Sequence, residues 1–96
     1  MKRSAIIPEH ILRDNKLSPN AKLFFGDMMA QSYGERFCIV DYKEVARLCG
    51  CAMSTISKWV SELKKRGYVG EISTIKDSDN KPYLQQIQLI YTRKSL

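Results

Sequence analysis

The apolar positions of this chain fall into a few periodic runs, and the densest lies between Asp41 and Val69, DYKEVARLCGCAMSTISKWVSELKKRGYV. Tyr42, Val45, Ala46 and Cys49 recur at helical spacing and share one face. They predict a helix opened by Asp41 as N-cap, with Glu44 three residues on. Gly50 stands where the chain must turn sharply, a place suited to positive φ. Ala52 to Arg66 then carries Ile56, Trp59, Val60 and Leu63 on one face, and Gly67 is placed to stop that second helix. Upstream, Leu17-Ser18-Pro19 predicts another helix start, with serine as cap and proline in the first turn. Ala21, Phe24, Phe25 and Met28 form its apolar stripe, with Leu23 and Met29 at the margins, and its end is expected near Tyr33-Gly34.

The remaining runs read as strands. Phe37 to Val40 is short, apolar and β-prone. Tyr68 to Ile75 and Tyr83 to Tyr91 flank the polar break Lys76 to Pro82 and predict a hairpin. Within the second of these, Ile87, Leu89 and Tyr91 alternate with Gln86, Gln88 and Ile90, so one face is expected to be buried. Ser4 to Ile7 fits a strand or an arm, and Pro8 to Arg13 a helical turn opened by proline. The expected organisation is a single α+β domain over 1–96: an arm (1–17), a first core helix (18–34), a helix pair (41–67) and a hairpin (68–91).

Ninety-six residues allow one modest core. A net charge of +6 favours a polyanionic partner, though basic surfaces also serve solubility. The first seven residues begin like a secretion signal, but Pro8, Glu9 and His10 end the apolar part at once. No apolar run approaches the length of a membrane span, so a cytoplasmic protein with no membrane partner is expected. Three cysteines, Cys38, Cys49 and Cys51, make a poor disulfide framework. Their spacing is too tight for a structural zinc site, and all three fit small buried hydrophobes. Asp77 and Asp79 lack the further oxygen ligands of a calcium loop, and the one histidine has no catalytic partner in sequence. No enzyme, metal or cofactor is expected.

Opposite the apolar stripe of the second helix lie Ser54, Lys58, Ser61 and Lys65, flanked by Ser57 and Glu62. Short hydroxyls let a backbone approach a groove, and serine and lysine donate to base edges and phosphates. Any surface helix is polar outside, so this face alone does not separate DNA reading from solvation. The register of helix, glycine turn and helix does.

Val45-Ala46-Arg47-Leu48-Cys49-Gly50-Cys51, followed by Ser54 to Val60, Leu63 and Arg66-Gly67-Tyr68-Val69, resembles the helix-turn-helix of bacterial winged-helix proteins. The lead-in of Pro8, Leu17-Ser18-Pro19 and Ala21-Lys22 resembles the winged-helix domains at the N-termini of phage and plasmid replication proteins. The fold this implies is a winged helix-turn-helix with three main helices, a C-terminal β-hairpin wing and a short extra strand. Ala52 departs from the pattern, standing where the family usually has a capping Ser or Thr. The missing cap should cost about 1 kcal/mol of helix stability.

The resemblance implies binding to double-stranded DNA. Ser54, Ser57, Lys58 and Ser61 are then expected in the major groove, with Thr55 near the helix start and Lys65 at phosphates. Tyr42 and Lys43 are expected at the backbone, and the wing tip would act through Lys76, Asn80 and Lys81. Asp77 and Asp79 offset the two lysines of that tip. Lys64, Lys65 and Arg66 also suit a helix's last turn through its dipole alone. The setting implied is a phage, plasmid or other mobile element, in replication initiation, DNA processing or transfer, or transcriptional repression. A homodimer, several copies on repeated sites, and other replication or transfer proteins as partners all stay open. The alternative is a winged-helix interaction module or inhibitor that does not bind DNA; a redox sensor using Cys49 and Cys51 is a third.

Overall fold

A computed structural model describes residues 7–32, 35–75 and 84–90. Its elements run α1 (Glu9–Leu12), α2 (Pro19–Ser32), β1 (Phe37–Asp41), α3 (Tyr42–Cys49), α4 (Met53–Lys65), β2 (Val69–Thr74) and β3 (Leu84–Leu89). The three strands form one antiparallel sheet in the order β1-β3-β2. With the helices on its inner face, this is an α+β winged helix. The expected helix end at Tyr33-Gly34, residues 1–6, the outer ends of the hairpin strands and the tail lie outside the described residues.

The stripes read from the sequence meet in one core. Ala21, Phe24, Phe25 and Met28 of α2 are buried, as are Ile56, Val60 and Leu63 of α4. The sheet contributes Cys38, Val40, Val69, Ile87 and Leu89. Cys38 opposes Ile87 and Ile87 opposes Ile72, so one cross-strand row runs along the inner face. Burying a side chain such as Leu63 or Ile56 stabilises by about 1.5–3 kcal/mol each. Between Val69 and Ile72 the register shifts, and there the side-chain amide oxygen Oε1 of Gln88 accepts the Glu71 N–H at 3.0 Å. A backbone donor that the bulge would orphan is thereby satisfied.

Both helices of the pair end the same way. Gly50 has φ 67°, Cys51 N–H donates to Ala46 O at 3.0 Å and Gly50 N–H to Arg47 O at 3.3 Å. Gly67 has φ 85°, Tyr68 N–H donates to Leu63 O at 2.9 Å and Gly67 N–H to Lys64 O at 3.0 Å. These are two Schellman motifs with glycine in the left-handed position, which L side chains adopt only at a cost. At the other end of α3 the Asp41 carboxylate accepts the Glu44 N–H at 3.1 Å.

Two polar clamps attach α4 to the rest. Ser18 caps α2 by accepting the Ala21 N–H, and its own N–H and hydroxyl donate to Glu62 of α4 at 3.0 and 3.1 Å. Asp14, 9 % exposed, accepts from Arg66 Nε at 2.8 Å, Tyr68 O–H at 2.6 Å and Lys16 N–H at 2.9 Å. The Tyr68 ring stands edge-on to His10 and Phe25, so His10 is locally packed. Residues 9–17 are thus built into the core rather than extended from it: Ile11 is fully buried and Leu17 nearly so.

Two expectations are corrected here. Cys49 is exposed, although it shares a helical face with buried Ala46, because α3 ends there and no element reaches over its last turn. Cys38 alone of the three cysteines is buried, with Cys51 half-buried. Burial, with the charge of Asp27, pushes the Cys38 thiol up to about 11. Among the described residues no helix is long and apolar enough to cross a membrane.

Burial acts to raise the Asp14 pKa, but the hydrogen bonds from Tyr68, Arg66 and Lys16 N–H, with the Arg66 charge, hold it at about 2. A carboxylate whose pKa is lower folded than unfolded stabilises above its unfolded value and loses that contribution as pH falls through the folded one. Asp14→Asn should therefore lower the unfolding free energy at neutral pH by about 2 kcal/mol. It should also remove part of the stability loss between about pH 4 and pH 2. Urea titrations of both proteins at pH 7, 4 and 2 measure this; equal acid sensitivity would contradict it.

Candidate nucleic-acid interface

Because Ile56, Val60 and Leu63 point inward, α4 presents the opposite arc to solvent. Ser54, Lys58, Ser61 and Lys65 are all exposed on that arc, and Ser57 is exposed beside them. Neither Lys58 nor Lys65 is held in an ion pair among the described residues. Two lysines and three hydroxyls thus lie on one side of a helix whose other side is locked in the core. The core fixes the backbone that carries these donors, and only their side chains are left to order on contact with a partner.

The other expected contacts divide. Lys43 is exposed at the start of α3. Tyr42 is not available in the way expected: its side chain is 7 % exposed and belongs to the core, and burial raises its pKa. Its apolar ring is better accommodated under α3 than at a phosphate. Thr55 is half-buried and faces α2 beside Trp59. Lys76, Asn80 and Lys81 lie outside the described residues. Lys64 turns towards the hairpin, its ammonium donating to Gly70 O at 3.3 Å. Arg66 holds Asp14, so the basic run Lys64 to Arg66 is divided between structure and surface. On α3 the Arg47 guanidinium donates to Glu44 at 3.1 and 2.6 Å. That hydrogen bonding lowers the Glu44 pKa and raises that of Arg47.

The α4 start has no side-chain cap, since Ala52 sits in extended conformation with no side-chain oxygen to offer; Thr55 N–H donates to the Ala52 backbone oxygen at 3.0 Å. Met53, the first residue of α4, is 43 % exposed and escaped the sequence reading because it lies between the apolar and polar arcs. Glu62 escaped it too. It lies beside the polar arc, but its partner Ser18 is 44 residues away in sequence.

The helix-turn-helix domain family matches residues 15–69, which is more than half of the chain and spans α2 to the start of β2. The chain belongs to this family, and DNA is the partner that the domain supports. Comparisons with curated proteins and with solved structures found no match.

Two substitutions test the surface without touching the core. Lys65→Ala should weaken binding to any duplex and reduce the slope of log K against log salt by about one. Fluorescence anisotropy across a salt series reads that slope, and an unchanged slope would take Lys65 out of the interface. Ala52→Ser supplies the missing oxygen and should raise stability by about 1 kcal/mol in denaturant titrations.

Proposed function

We propose that this chain is a sequence-specific double-stranded DNA-binding protein, in which α4 enters the major groove. The observation that carries the reading is the exposed arc of Ser54, Ser57, Lys58, Ser61 and Lys65 on a helix fixed by the core and two polar clamps. Serine hydroxyls and the Lys58 ammonium read base edges, and Lys65, with Lys43 across the turn, meets phosphates. The net charge of +6 supplies the sequence-independent part of the affinity.

The setting we favour is a phage, plasmid or other mobile element, in the cytoplasm of its host. The resemblance of the Leu17-Ser18-Pro19 lead-in to replication-protein domains supports it. In that setting the domain acts by marking a site. It does so in replication initiation, in DNA processing or transfer, or by blocking polymerase as a repressor. It binds as a homodimer on an inverted repeat or as separate copies on repeated sites, and the recovered motif distinguishes the two.

Selection of bound sequences from a random duplex pool, run with wild type and Lys58→Ala side by side, tests this reading. Wild type should enrich one motif, and the variant should lose or alter it at one or two adjacent positions. A protein that fails to shift random duplex DNA even at low salt is not a DNA binder, and that outcome would overturn the proposal.

A further inference from the structure

A concave, largely apolar surface lies away from the lysine arc of α4, between α2 and α3. Two adjoining hollows of about 470 and 490 Å³ share Phe24, Asp27, Val45 and Cys49 as walls. One opens towards Ile39 of β1 and the other towards Trp59 of α4. Trp59 leans on Phe24 with ring centroids 5.9 Å apart and stays half-buried, so it forms a wall rather than filling the gap between helices. Three large side chains border the groove and remain in water: Leu48 is 69 %, Leu23 59 % and Ile39 57 % exposed. Single exposed apolar residues are ordinary, whereas a contiguous set around a concave surface marks an interaction site.

Charge restricts the occupant. Every charged residue lining the groove is acidic: Asp27, Asp41 and Glu44. This occurs on a chain with 16 lysines and arginines against 10 acids. Glu44 is partly neutralised by Arg47 and Asp41 caps α3, but Asp27 hydrogen-bonds only the neutral Gln31 among the described residues. A duplex or an anionic membrane is repelled here. A second copy docking the same face would bring six carboxylates together, which argues against an isologous dimer through this groove.

We infer that the groove between α2 and α3 docks an amphipathic, basic helical segment of a partner protein. Its apolar residues would enter the two hollows between Leu23 and Leu48, and its lysines or arginines would meet Asp27 and Glu44. None of Ser54, Lys58, Ser61 and Lys65 lines the groove, so partner and DNA occupy different surfaces of one molecule. A site-marking protein needs such a second surface to recruit what acts at the site, although the inference stands on the groove and not on DNA binding.

The test titrates the ¹⁵N-labelled full chain with a synthetic amphipathic helix of leucine and lysine, and in parallel with the same peptide carrying glutamate for lysine. Saturable amide shifts confined to α2, α3 and the Trp59 indole with the lysine peptide alone are expected. Leu48→Ser and Asp27→Lys, both at exposed positions, should each weaken that binding by about tenfold or more. Both variants should keep wild-type melting temperature, and Leu48→Ser, which leaves the net charge unchanged, should also keep wild-type affinity for duplex DNA. No saturable shift, equal binding of both peptides, or shifts centred on the outer arc of α4 would overturn the inference. So would a wild-type dimer that Leu48→Ser converts to monomer in sedimentation, because a second copy would then be the occupant.

Discussion

A carboxylate taken out of water needs partners for its charge and its lone pairs, and Asp14 finds two of its three at the far end of α4 and the third in the nearby Lys16 N–H. Arg66 follows α4 and Tyr68 precedes β2, so one side chain joins the N-terminal segment, the end of α4 and the root of the hairpin. The benefit is positional more than energetic. Desolvating such a group offsets much of the attraction, and an apolar replacement of the whole cluster could be equally stable. What an apolar cluster lacks is direction. Two hydrogen bonds with fixed geometry, from Arg66 and Tyr68, permit one placement of residues 9–17 against the end of α4, whereas packed methyl groups slide.

The clamp at the other side has the same logic. Ser18 ends the loop after Asp14, caps α2 and receives Glu62 from α4, one turn before Arg66. Two adjacent turns of α4 are therefore tied to the stretch between residues 14 and 18. The core stripe Ile56, Val60 and Leu63 fixes the rotation of α4 about its axis, and the clamps fix its position along that axis. Together they determine which arc reaches solvent, and that arc carries the lysines and serines.

These layers were unequally legible in the sequence. Helical stripes, strand alternation and the two glycine stops depend on near neighbours, and periodicity reveals them: Ala21, Phe25, Ile56, Leu63 and Ile87 are buried where the pattern put them. Asp14, Glu62 and Arg66 carry no such mark. Their partners lie 44 to 54 residues away, and a charged residue in a polar loop or a helix's last turn looks the same whether solvated or paired. Cys49 failed for a different reason. Helical spacing gives a face but not how far the covering elements extend. On an eight-residue helix the first turn is covered by the core and the last is not, so Tyr42 is buried as its face predicts while Cys49 is left in water.

That uneven cover of α3 also shapes the outer surface. The turn to α4 is made by Gly50 and closed by hydrogen bonds from Gly50 and Cys51, so α3 cannot be lengthened to bury Leu48 and Cys49 without losing the Schellman motif. A helix pair with a turn this tight leaves the end of its first helix short of the neighbouring α2, and the space between them is the groove. Lys58 and Lys65 stand on α4 beyond that space, whereas Asp27 and Glu44 line it. The separation of charge therefore follows the geometry of the turn. One constraint turns the lysine arc of α4 to solvent and leaves an acidic, apolar surface behind it.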